Sequence, residues 1–590
     1  MNFIRLLGLS LPWLLLTGCG PKTPVPSPTS GHPLANPLVM KCEPGQRGGR
    51  LTLLTAGPPR TFNPLLVVDG ASDHAVRLLF GSLMVVNAAT QEAGPGMAET
   101  WSVSPDGRSW TFKLRAGLRW SDGQPLTAGD VVFTWNEVMY NPEMNRQTYD
   151  LFRINGTNFA VSQLDELTVR VVTPEVFAPF LEFFGGVPIL PRHAMGREVQ
   201  ERRFLSAYTV NTRPDRIVGS GPFRLKQMQP DGGVLLERNP EYWATDATGQ
   251  RLPYFDEVLL QPVSGGSPTY FFLSGKGDVC ESPRVAEHEA IRSAAGAGKF
   301  RLLELGVGTE RDILWFNLNT NHDAGGRPLV APAKARWFRE PAFRQAVSCG
   351  INRDRLVTEV YGGKAQPILT FVGKDNPKWH NPNVPIFSYD PARARALLAG
   401  IGISDRNQDG VLEDAGGQVI EFTLHSNSGN PAREKCAALI AEDLQRLGMR
   451  VTYQSIEFGQ LVEKINLNWD YECVLMGLGG GGMDPASQVN VLKSGETLHQ
   501  WFPNQPAPAT AWEARLDALM DAQSRTLNVA ERKQAFDEVQ RILAEQMPMI
   551  YTVAPFQLAA ARPELANLQP SLLSTYRLTW NAEQLYFRKP

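Results

Sequence analysis

The sequence predicts an α/β protein, and two stretches carry that prediction. Between Val419 and Gly477, apolar runs of strand length alternate with amphipathic helical patterns, in the order strand, helix, strand, helix, strand. This order is typical of a parallel sheet with right-handed crossovers. Residues 110–138 add a half-buried strand, a turn and a capped helix. The length of 590 residues allows two to four cores of domain size.

Residues 110–138 form a well-marked scaffold element. From 110 to 115 large apolar side chains alternate with polar ones, which predicts a strand with one buried face. Residues 121–124, Ser-Asp-Gly-Gln, have turn chemistry. Thr127 and Asp130 then have the spacing of a capping box, which predicts a helix that runs through Val138. The stretch contains no obvious nucleophile or acid–base pair.

The composition excludes some classes of protein. Hydrophobic residues make up 43% of the chain and charged residues 20%, as in an ordinary globular protein. The formal net charge of −2 gives no basis for binding nucleic acid or for attraction to a membrane surface.

The N-terminus has the pattern of an export signal. Arg5 precedes an apolar run from Leu6 to Leu16, which is too short to span a bilayer as a permanent anchor. The run ends in Leu-Thr-Gly-Cys, which resembles a bacterial lipobox with Cys19 as the lipidated residue. A plain signal peptide with a chance cysteine is the alternative. We therefore expect a signal peptide over 1–18 and a lipidated tether rich in Pro and Ser over 19–47, holding an exported protein to a membrane at its periplasmic or extracytoplasmic face.

Several motifs, in order along the chain, resemble the family 5 extracellular solute-binding proteins, the receptors of peptide, dipeptide and nickel ABC importers. Residues 110–138 resemble the signature of that family most strongly. Further matches are Val218–Phe223, Asn239–Trp243, Pro253–Val258, Gly275–Val279 and the helices predicted over 341–360. The resemblance extends from about Arg50 to Tyr551.

The resemblance implies a two-lobed fold of the periplasmic-binding-protein type (type II, cluster C), with an extra domain in the N-terminal lobe. The implied divisions are a lobe 1 core from 48–75, 216–310 and 547–590, an additional domain over 76–215, and lobe 2 over 311–546.

The resemblance also implies a function without catalysis. The lobes would close over a small solute, an oligopeptide or dipeptide in the first place, and deliver it to the permease of an ABC importer. An oligosaccharide is the alternative solute. An exported hydrolase is the alternative class, and it should show a nucleophile elbow or a zinc motif, neither of which occurs in the sequence. We expect a monomer that binds no nucleic acid and has no cofactor, apart from a candidate structural calcium ion.

A glycine-rich loop follows the last strand of the α/β series. Residues 477–482 fit G-x-G-x-x-G, but no apolar helix follows, so the context argues against a dinucleotide loop. Loops at the carboxyl ends of parallel strands are where ligands bind in open α/β sheets. In the family this loop lines the cleft, so the candidate ligand-binding residues here are Gly479, Gly480, Gly481, Met483 and Asp484.

The glycine loop departs from the peptide-binding pattern at one position. Peptide-binding relatives usually carry an aspartate where this chain has Gly481, and it holds the peptide's ammonium group. Either Asp484 takes that role or the solute has no free amine.

Two further groups of residues are candidates for the cleft. Gly70, Ala71 and Ser72 follow the family's opening segment and are expected to line it. His499 and Trp501 are predicted to contribute a wall; the alternative is that Trp501 is simply a core residue.

Residues 405–410 resemble the first half of an EF-hand calcium loop. Asp405, Asn407 and Asp409 place oxygens at alternate positions, and a glycine follows at the turn. Position twelve is Gly416, so the usual bidentate glutamate is missing. A polar surface hairpin without metal is the alternative.

Five cysteines follow Cys19, and export permits disulfides. Cys349 and Cys436 lie in helical apolar stripes and are expected to be buried thiols. Cys42 and Cys280 lie outside such stripes and are the predicted disulfide pair, since some dipeptide-binding relatives link an N-terminal cysteine to one at a comparable distance.

Overall fold

The first elements of the chain belong to lobe 1: a strand that joins one of its sheets, and a helix. The computed structural model describes residues 31–144, 152–154, 156–264, 266–308, 311–323, 325–478, 484–496, 498–503 and 505–588. The first elements are β1 (Leu38–Val39), β2 (Arg50–Thr55) and α1 (Gly70–Leu79). Asp69 caps α1, because its side chain accepts a hydrogen bond from the Ser72 N–H.

The next segment builds the additional domain around an antiparallel sheet with the strand order β5-β6-β10-β9. The ring of Trp135 stacks on Phe184 with a centroid distance of 4.0 Å and an interplanar angle of 9°, which anchors the helices on this sheet. The elements are β3 (Met84–Asn87), β4 (Glu92–Pro95), β5 (Ala98–Val103), β6 (Ser109–Leu114), α2 (Ala128–Phe133), a π-helical segment (Thr134–Met139), β7 (Arg153–Ile154), β8 (Thr157–Asn158), β9 (Ala160–Asp165), β10 (Thr168–Val172), α3 (Phe180–Phe183) and α4 (Arg192–Gln200).

Lobe 1 continues with a second sheet in the order β11-β12-β14-β2, in which β14 and β2 are parallel. This pairing joins strands that are about 200 residues apart in the sequence, so β2 completes a sheet built mostly by later residues. The elements are β11 (Phe223–Met228), β12 (Val234–Arg238), β13 (Ala244–Thr245), β14 (Glu257–Pro262), α5 (Pro268–Leu273), β15 (Val279–Cys280), α6 (His288–Gly296) and β16 (Arg301–Val307).

Lobe 2 surrounds a five-stranded sheet in the order β20-β19-β21-β17-β22. β19 is parallel to both β20 and β21, which confirms the predicted parallel sheet, whereas β17 is antiparallel to β21 and β22. The elements are β17 (Arg311–Phe316), α7 (Pro332–Arg339), α8 (Pro341–Gly350), α9 (Arg353–Tyr361), β18 (Ala365–Pro367), α10 (Pro391–Gly400), β19 (Glu421–Asn427), α11 (Pro431–Leu447), β20 (Arg450–Ile456), α12 (Phe458–Glu463), a π-helical segment (Lys464–Asn468), β21 (Cys473–Leu478), α13 (Val489–Leu492), α14 (Ala511–Ser524), α15 (Val529–Gln546) and β22 (Ile550–Tyr551).

The C-terminal segment returns the chain to lobe 1. β23 lies between β15 and β16, so a late strand occupies the middle of a lobe 1 sheet. The remaining elements are β23 (Val553–Ala561), β24 (Leu565–Ala566), β25 (Tyr586–Phe587) and short 3-10 turns at Phe204–Ser206, Pro214–Arg216, Val285–Glu287, Pro485–Gln488 and Ala582–Gln584.

Two neighbouring connections join the lobes. The first runs from β16 to β17, and the second is the single residue Thr552 between β22 and β23. Thr552 is fully buried, and its hydroxyl donates a hydrogen bond of 2.7 Å to the carbonyl of Asp312, the second residue of β17. The second connection is therefore bonded to the strand that directly follows the first, and we call this crossing point the hinge between the lobes.

Helix caps are formed by local residues, and the predicted capping box is among them. Asn352 caps α9, and Gly362 ends it in the left-handed region at φ 57°. The capping box of Thr127 and Asp130 is present. However, the helix predicted through Val138 changes to π geometry at Thr134, where the threonine hydroxyl donates to the carbonyl of Asp130 and accepts from the Leu190 N–H.

Two-lobed architecture follows from these sheets and from separate hydrophobic cores on either side of the hinge. The residue boundaries assigned to the lobes from the sequence stay a prediction. Among the described residues, no helix is both long and apolar enough to cross a bilayer.

Candidate ligand-binding site

A cavity of about 670 Å³ lies in lobe 1. Its walls are the end of β2 with residues 56–60, the N-terminus of α1, the end of β15 with residues 281–284, and Thr575 with Tyr576. This volume is in the range of small-ligand sites.

The cavity includes two of the three residues predicted near the start of α1. Gly70 and Ala71 line it. Ser72 is fully buried instead: its hydroxyl donates to Asp69 (2.6 Å) and accepts from the N–H groups of Arg60 and Thr61 (2.8 and 3.2 Å). Ser72 therefore positions the loop that forms one wall, and the role of the glycine and alanine in binding stays a prediction.

An aromatic pair closes another side of the cavity. The imidazole of His74 packs on Tyr576 with a centroid distance of 4.2 Å, and Tyr576 donates its hydroxyl to Asp73 at 2.7 Å. Burial lowers the pKa of His74 to about 3, with a smaller contribution from Arg77, so this imidazole is neutral at physiological pH. This wall of the cavity therefore carries no charge from the histidine.

Glu281 is a cavity-lining carboxylate that the sequence reasoning missed. Its Oε1 accepts hydrogen bonds from Leu578 N–H (2.9 Å), Thr579 N–H (2.9 Å) and the Thr579 hydroxyl (2.8 Å). Burial raises the pKa of Glu281, although these hydrogen bonds oppose the shift. The available signal was its position directly after the predicted Asp278-Val279 segment, at the carboxyl end of β15.

Asp484 has a different environment from the one predicted for a ligand carboxylate. Its Oδ1 accepts from the Ala486 N–H at 2.9 Å and lies 2.5 Å from Nη2 of Arg532. Both side chains are buried, and Arg532 also donates to the carbonyl and side chain of Gln523. Because its charge is already paired inside lobe 2, this geometry does not favour the predicted role for Asp484 in holding a ligand amine.

His499 and Trp501 are core residues in this structure. Their exposed fractions are 1% and 0%, and their rings pack together with a centroid distance of 4.0 Å. Nδ1 of His499 lies 3.1 Å from the carbonyl of Val491, and burial lowers the pKa of this histidine to about 4. The core interpretation of Trp501 therefore fits the structure, and the predicted cleft wall does not.

The glycine loop lies outside the described residues. Gly479, Gly480, Gly481 and Met483 belong to the undescribed stretch 479–483, and their predicted part in ligand binding stays a prediction. Cys19 likewise lies outside the described part of the chain.

The two lobes also touch through residues 175–178 of the additional domain and 524–525 of lobe 2. The N–H of Ala178 in the additional domain donates a hydrogen bond of 2.8 Å to the carbonyl of Ser524 in lobe 2. Next to it, Glu175 and Arg525 form an ion pair of 2.9 Å. We call this arrangement, in which the lobes are in contact both at Thr552 and at the Ala178–Ser524 hydrogen bond, the closed arrangement.

A titratable side chain lies close to this contact. Glu182 on α3 faces Asp484, Lys378 and Arg532 of lobe 2. Burial, and after it the charge of Asp484, raise the pKa of Glu182 from an ordinary 4.5 to about 7, while the two cations oppose the shift. Glu182 therefore titrates near neutral pH in the closed arrangement.

The predicted calcium loop is closed by its own hydrogen bonds. Asp405 accepts from the N–H groups of Asp409 and Gly410, and Asn407 accepts from Asp409 N–H. The carboxylate of Asp409 accepts from Val411 N–H at 2.8 Å. In the part of the chain that the structure describes, no group of three or more His, Cys, Asp or Glu side chains is placed to hold a metal ion. The residues present therefore fit a surface hairpin better than a calcium site.

The predicted disulfide between Cys42 and Cys280 is not formed. Both residues are free thiols, held in different surroundings. Sγ of Cys42 lies 3.9 Å from the hydroxyl of Tyr254, whereas Cys280 lies 3.7 Å from the hydroxyl of Thr269 and packs in a separate small core. The two thiols cannot pair because they lie in separate places in the fold: Cys42 is half-buried beside Tyr254, and Cys280 is buried in a small core around β15.

The fold, the hinge and the lobe 1 cavity are those of a two-lobed solute-binding receptor. The chain belongs to the bacterial extracellular solute-binding proteins, family 5, whose middle region matches residues 92–498. A probable ABC transporter-binding protein of Deinococcus radiodurans is 27% identical, over 91% of this chain and 94% of its own length. The oligopeptide-binding protein AppA of Bacillus subtilis is 26% identical, over 92% of each chain.

Solved structures share the fold. The structure of AppA from Bacillus subtilis in complex with a nonapeptide superposes with a TM-score of 0.66, at 23% identity over 92% of this chain and all of the other. The structure of MelB from Agrobacterium fabrum in complex with stachyose superposes with a TM-score of 0.70, at 20% identity over 94% and 87% of the two chains. The predicted family and fold class are confirmed.

Proposed function

We propose that this protein is the substrate-binding component of an ABC importer and that it captures an oligopeptide or dipeptide between its lobes. The observation that carries the proposal is the closed arrangement: a bonded hinge at Thr552 together with the Ala178–Ser524 hydrogen bond. A ligand that touches both lobes stabilises this state over the open one, and the permease then binds the closed form. The name of the related AppA supports a peptide as the solute.

The family consists of binding proteins, which supports a function without catalysis and argues against the hydrolase alternative. An oligosaccharide stays the second candidate solute. The pairing of Asp484 with Arg532 favours it, because that carboxylate is not free for a peptide amine, and MelB shows that this fold also accommodates stachyose.

The test is to identify the solute directly. Mass spectrometry of small molecules released from freshly purified protein should find peptides, and calorimetric titration should show binding of a synthetic pool of tri- to pentapeptides but not of stachyose. Binding of stachyose without binding of peptides would replace the peptide proposal and leave the receptor assignment in place.

We infer in addition that the chain is exported and held to a membrane by a lipid on Cys19. The lipobox sequence that ends at this residue is the support, together with the extracellular nature of the family. Replacing Cys19 by Ser should move the protein from the membrane fraction to the soluble fraction without changing its melting temperature. A lipid label that persists in the Cys19→Ser protein would contradict the anchor.

A further inference from the structure

Glu281 lies where a ligand in the lobe 1 cavity would meet it. It follows the last residue of β15 and lines the cavity together with Tyr576, Gly70 and Ala71. The carboxylate is fixed by hydrogen bonds at Oε1 from the backbone of Leu578 and from both donors of Thr579. Because the side chain is already held in one position, ligand binding does not have to include the entropic cost of fixing it.

The second oxygen of the Glu281 carboxylate, Oε2, can still accept hydrogen bonds. Oε2 accepts no hydrogen bond from any described residue, and no described Lys, Arg or His lies within the 4 Å that would make an ion pair with Glu281. Arg577 is a neighbouring cation: its Nη1 donates to the side chain of Gln557 at 2.6 Å and to the backbone carbonyl of Glu281 at 3.4 Å, and its charge lowers the pKa of Glu281.

The electrostatic situation favours a positive partner. Glu281 is half-buried, and this loss of water raises its pKa although Arg577 and the hydrogen bonds at Oε1 oppose the shift; a cation bonded directly to the carboxylate would stabilise its charge further. Other acidic side chains of the cavity already hold neighbouring groups: Asp69 caps α1, and Glu287 accepts from the Thr269 hydroxyl. Arg60 and Arg284 also line the cavity, but their exposed side chains are screened by solvent.

We propose that Glu281 binds a cationic nitrogen of the solute, an ammonium or guanidinium group, inside the lobe 1 cavity. This inference rests on the proposed receptor function and names the chemical group that the site selects. For a peptide, the group is the N-terminal amine or a basic side chain. The charge-assisted hydrogen bond forms at Oε2, while Oε1 keeps its three donors.

The test compares wild type with Glu281→Gln, whose amide oxygen can keep the hydrogen bonds from Leu578 and Thr579. The probes are a synthetic pool of tri- to pentapeptides without Lys or Arg, the same pool after N-acetylation, and spermidine. Glu289→Gln is the matched control, because it removes the same charge from an exposed position of the same segment. Melting temperatures verify that each variant is folded.

We expect Glu281→Gln to weaken binding of the free-amine pool at least tenfold, or about 1.4 kcal/mol, and the control to bind like wild type. Acetylation should weaken binding to wild type and have no further effect on the variant. Equal affinity of wild type and Glu281→Gln for the free-amine pool would overturn the inference.

The proposed function and this inference can fail separately. If wild type binds no peptide pool but binds spermidine, and Glu281→Gln loses that binding, the peptide proposal fails and the role of Glu281 stands. If wild type binds peptides and the acetylated pool binds equally well, the receptor stands and the role of Glu281 is wrong. If neither cationic probe binds wild type, the role of Glu281 is also wrong.

Discussion

Glu175 of the additional domain and Arg525 of lobe 2 form an ion pair of 2.9 Å across the gap between the lobes. The neighbouring Ala178–Ser524 backbone hydrogen bond makes the same connection, so the contact is a small latch with one charged and one neutral component. Its two charged side chains are partly exposed: 38% of the Glu175 side chain and 52% of the Arg525 side chain are accessible to solvent. That exposure limits what the ion pair contributes to closure.

The first prediction concerns this latch. Replacing Arg525 by Ala should favour the open state by only about 0.5 kcal/mol, since exposed ion pairs contribute little and are screened by salt. Solute affinity should fall about twofold, and the difference from wild type should disappear in 1 M salt. The charge-swapped double variant Glu175→Arg with Arg525→Glu should recover the affinity. A loss greater than tenfold that persists in high salt would contradict this account.

The second prediction concerns pH. The pKa of Glu182 is about 7 in the closed arrangement, and in an open form it returns toward its ordinary 4.5, so closing takes up a proton between these values. Raising the pH through this window opposes closure and weakens solute binding, roughly three- to tenfold between pH 5 and pH 8 after allowance for partial exposure. Above pH 7 the effect levels off.

The control for the pH prediction is Glu182→Gln, which has no proton to exchange at this position. Its affinity should vary less with pH over the same range, whereas Glu175→Gln should keep the wild-type slope. An unchanged slope in Glu182→Gln would assign the pH dependence to another group.

The third prediction concerns Asp484 and Arg532. Replacing Asp484 by Asn leaves a buried guanidinium without its counter-charge, which should lower the free energy of unfolding by about 3 kcal/mol. Denaturant unfolding measures this directly. Adding Arg532→Met should recover part of the loss, because the unpaired charge is removed. If Asp484→Asn instead kept full stability and lost peptide affinity, the role in amine binding predicted from the sequence would be correct after all.

The fourth prediction concerns calcium. The carboxylates of the 405–410 loop already accept backbone hydrogen bonds, and Gly416 offers no side-chain oxygen at the twelfth position. We therefore expect 1 mM calcium to leave the melting temperature unchanged. A rise in melting temperature that chelator reverses, and that Asp409→Ala abolishes, would restore the calcium site.

The fifth prediction concerns the thiols. Unfolding the protein without reductant should expose Cys42 and Cys280 as two groups that react with a thiol reagent, and peptide mapping should find both alkylated. Burial raises the pKa of both thiols, so labelling of the folded protein should be slow. A peptide that joins the two residues in the unreduced protein would contradict the structure.

Local patterns in the sequence predicted much of the fold. The caps at Thr127 and Asn352 and the parallel strands after Val419 depend on nearby residues, and each is present. The π-helical segment after Phe133 could not be predicted, because it depends on a hydrogen bond from the distant Leu190 to Thr134. A helix cap can be recognised from the residues of one segment, whereas a contact with a distant segment cannot.

The site was less predictable for the same reason. Trp501 has the residue type of a cleft wall, and only its packing against His499 in the lobe 2 core shows otherwise. Asp484 has the residue type of an amine ligand, and only the arrival of Arg532 from α15 shows that its charge is occupied. Glu281 escaped notice because its three hydrogen-bond donors come from residues nearly 300 positions later.

β23 lies in the middle of the β15-β23-β16 sheet, although it is the last of the three strands in the sequence. This position determines the order in which the two lobes can fold as the chain is made. The ribosome makes β2 early, but the sheet of lobe 1 that contains β15 stays open in the middle until residues 553–561 have been translated. Lobe 2, whose sheet is made from strands between 311 and 551, is available first. The lobe that is begun first is therefore finished last, and β15 and β16 keep unpaired edges until β23 is available to lie between them.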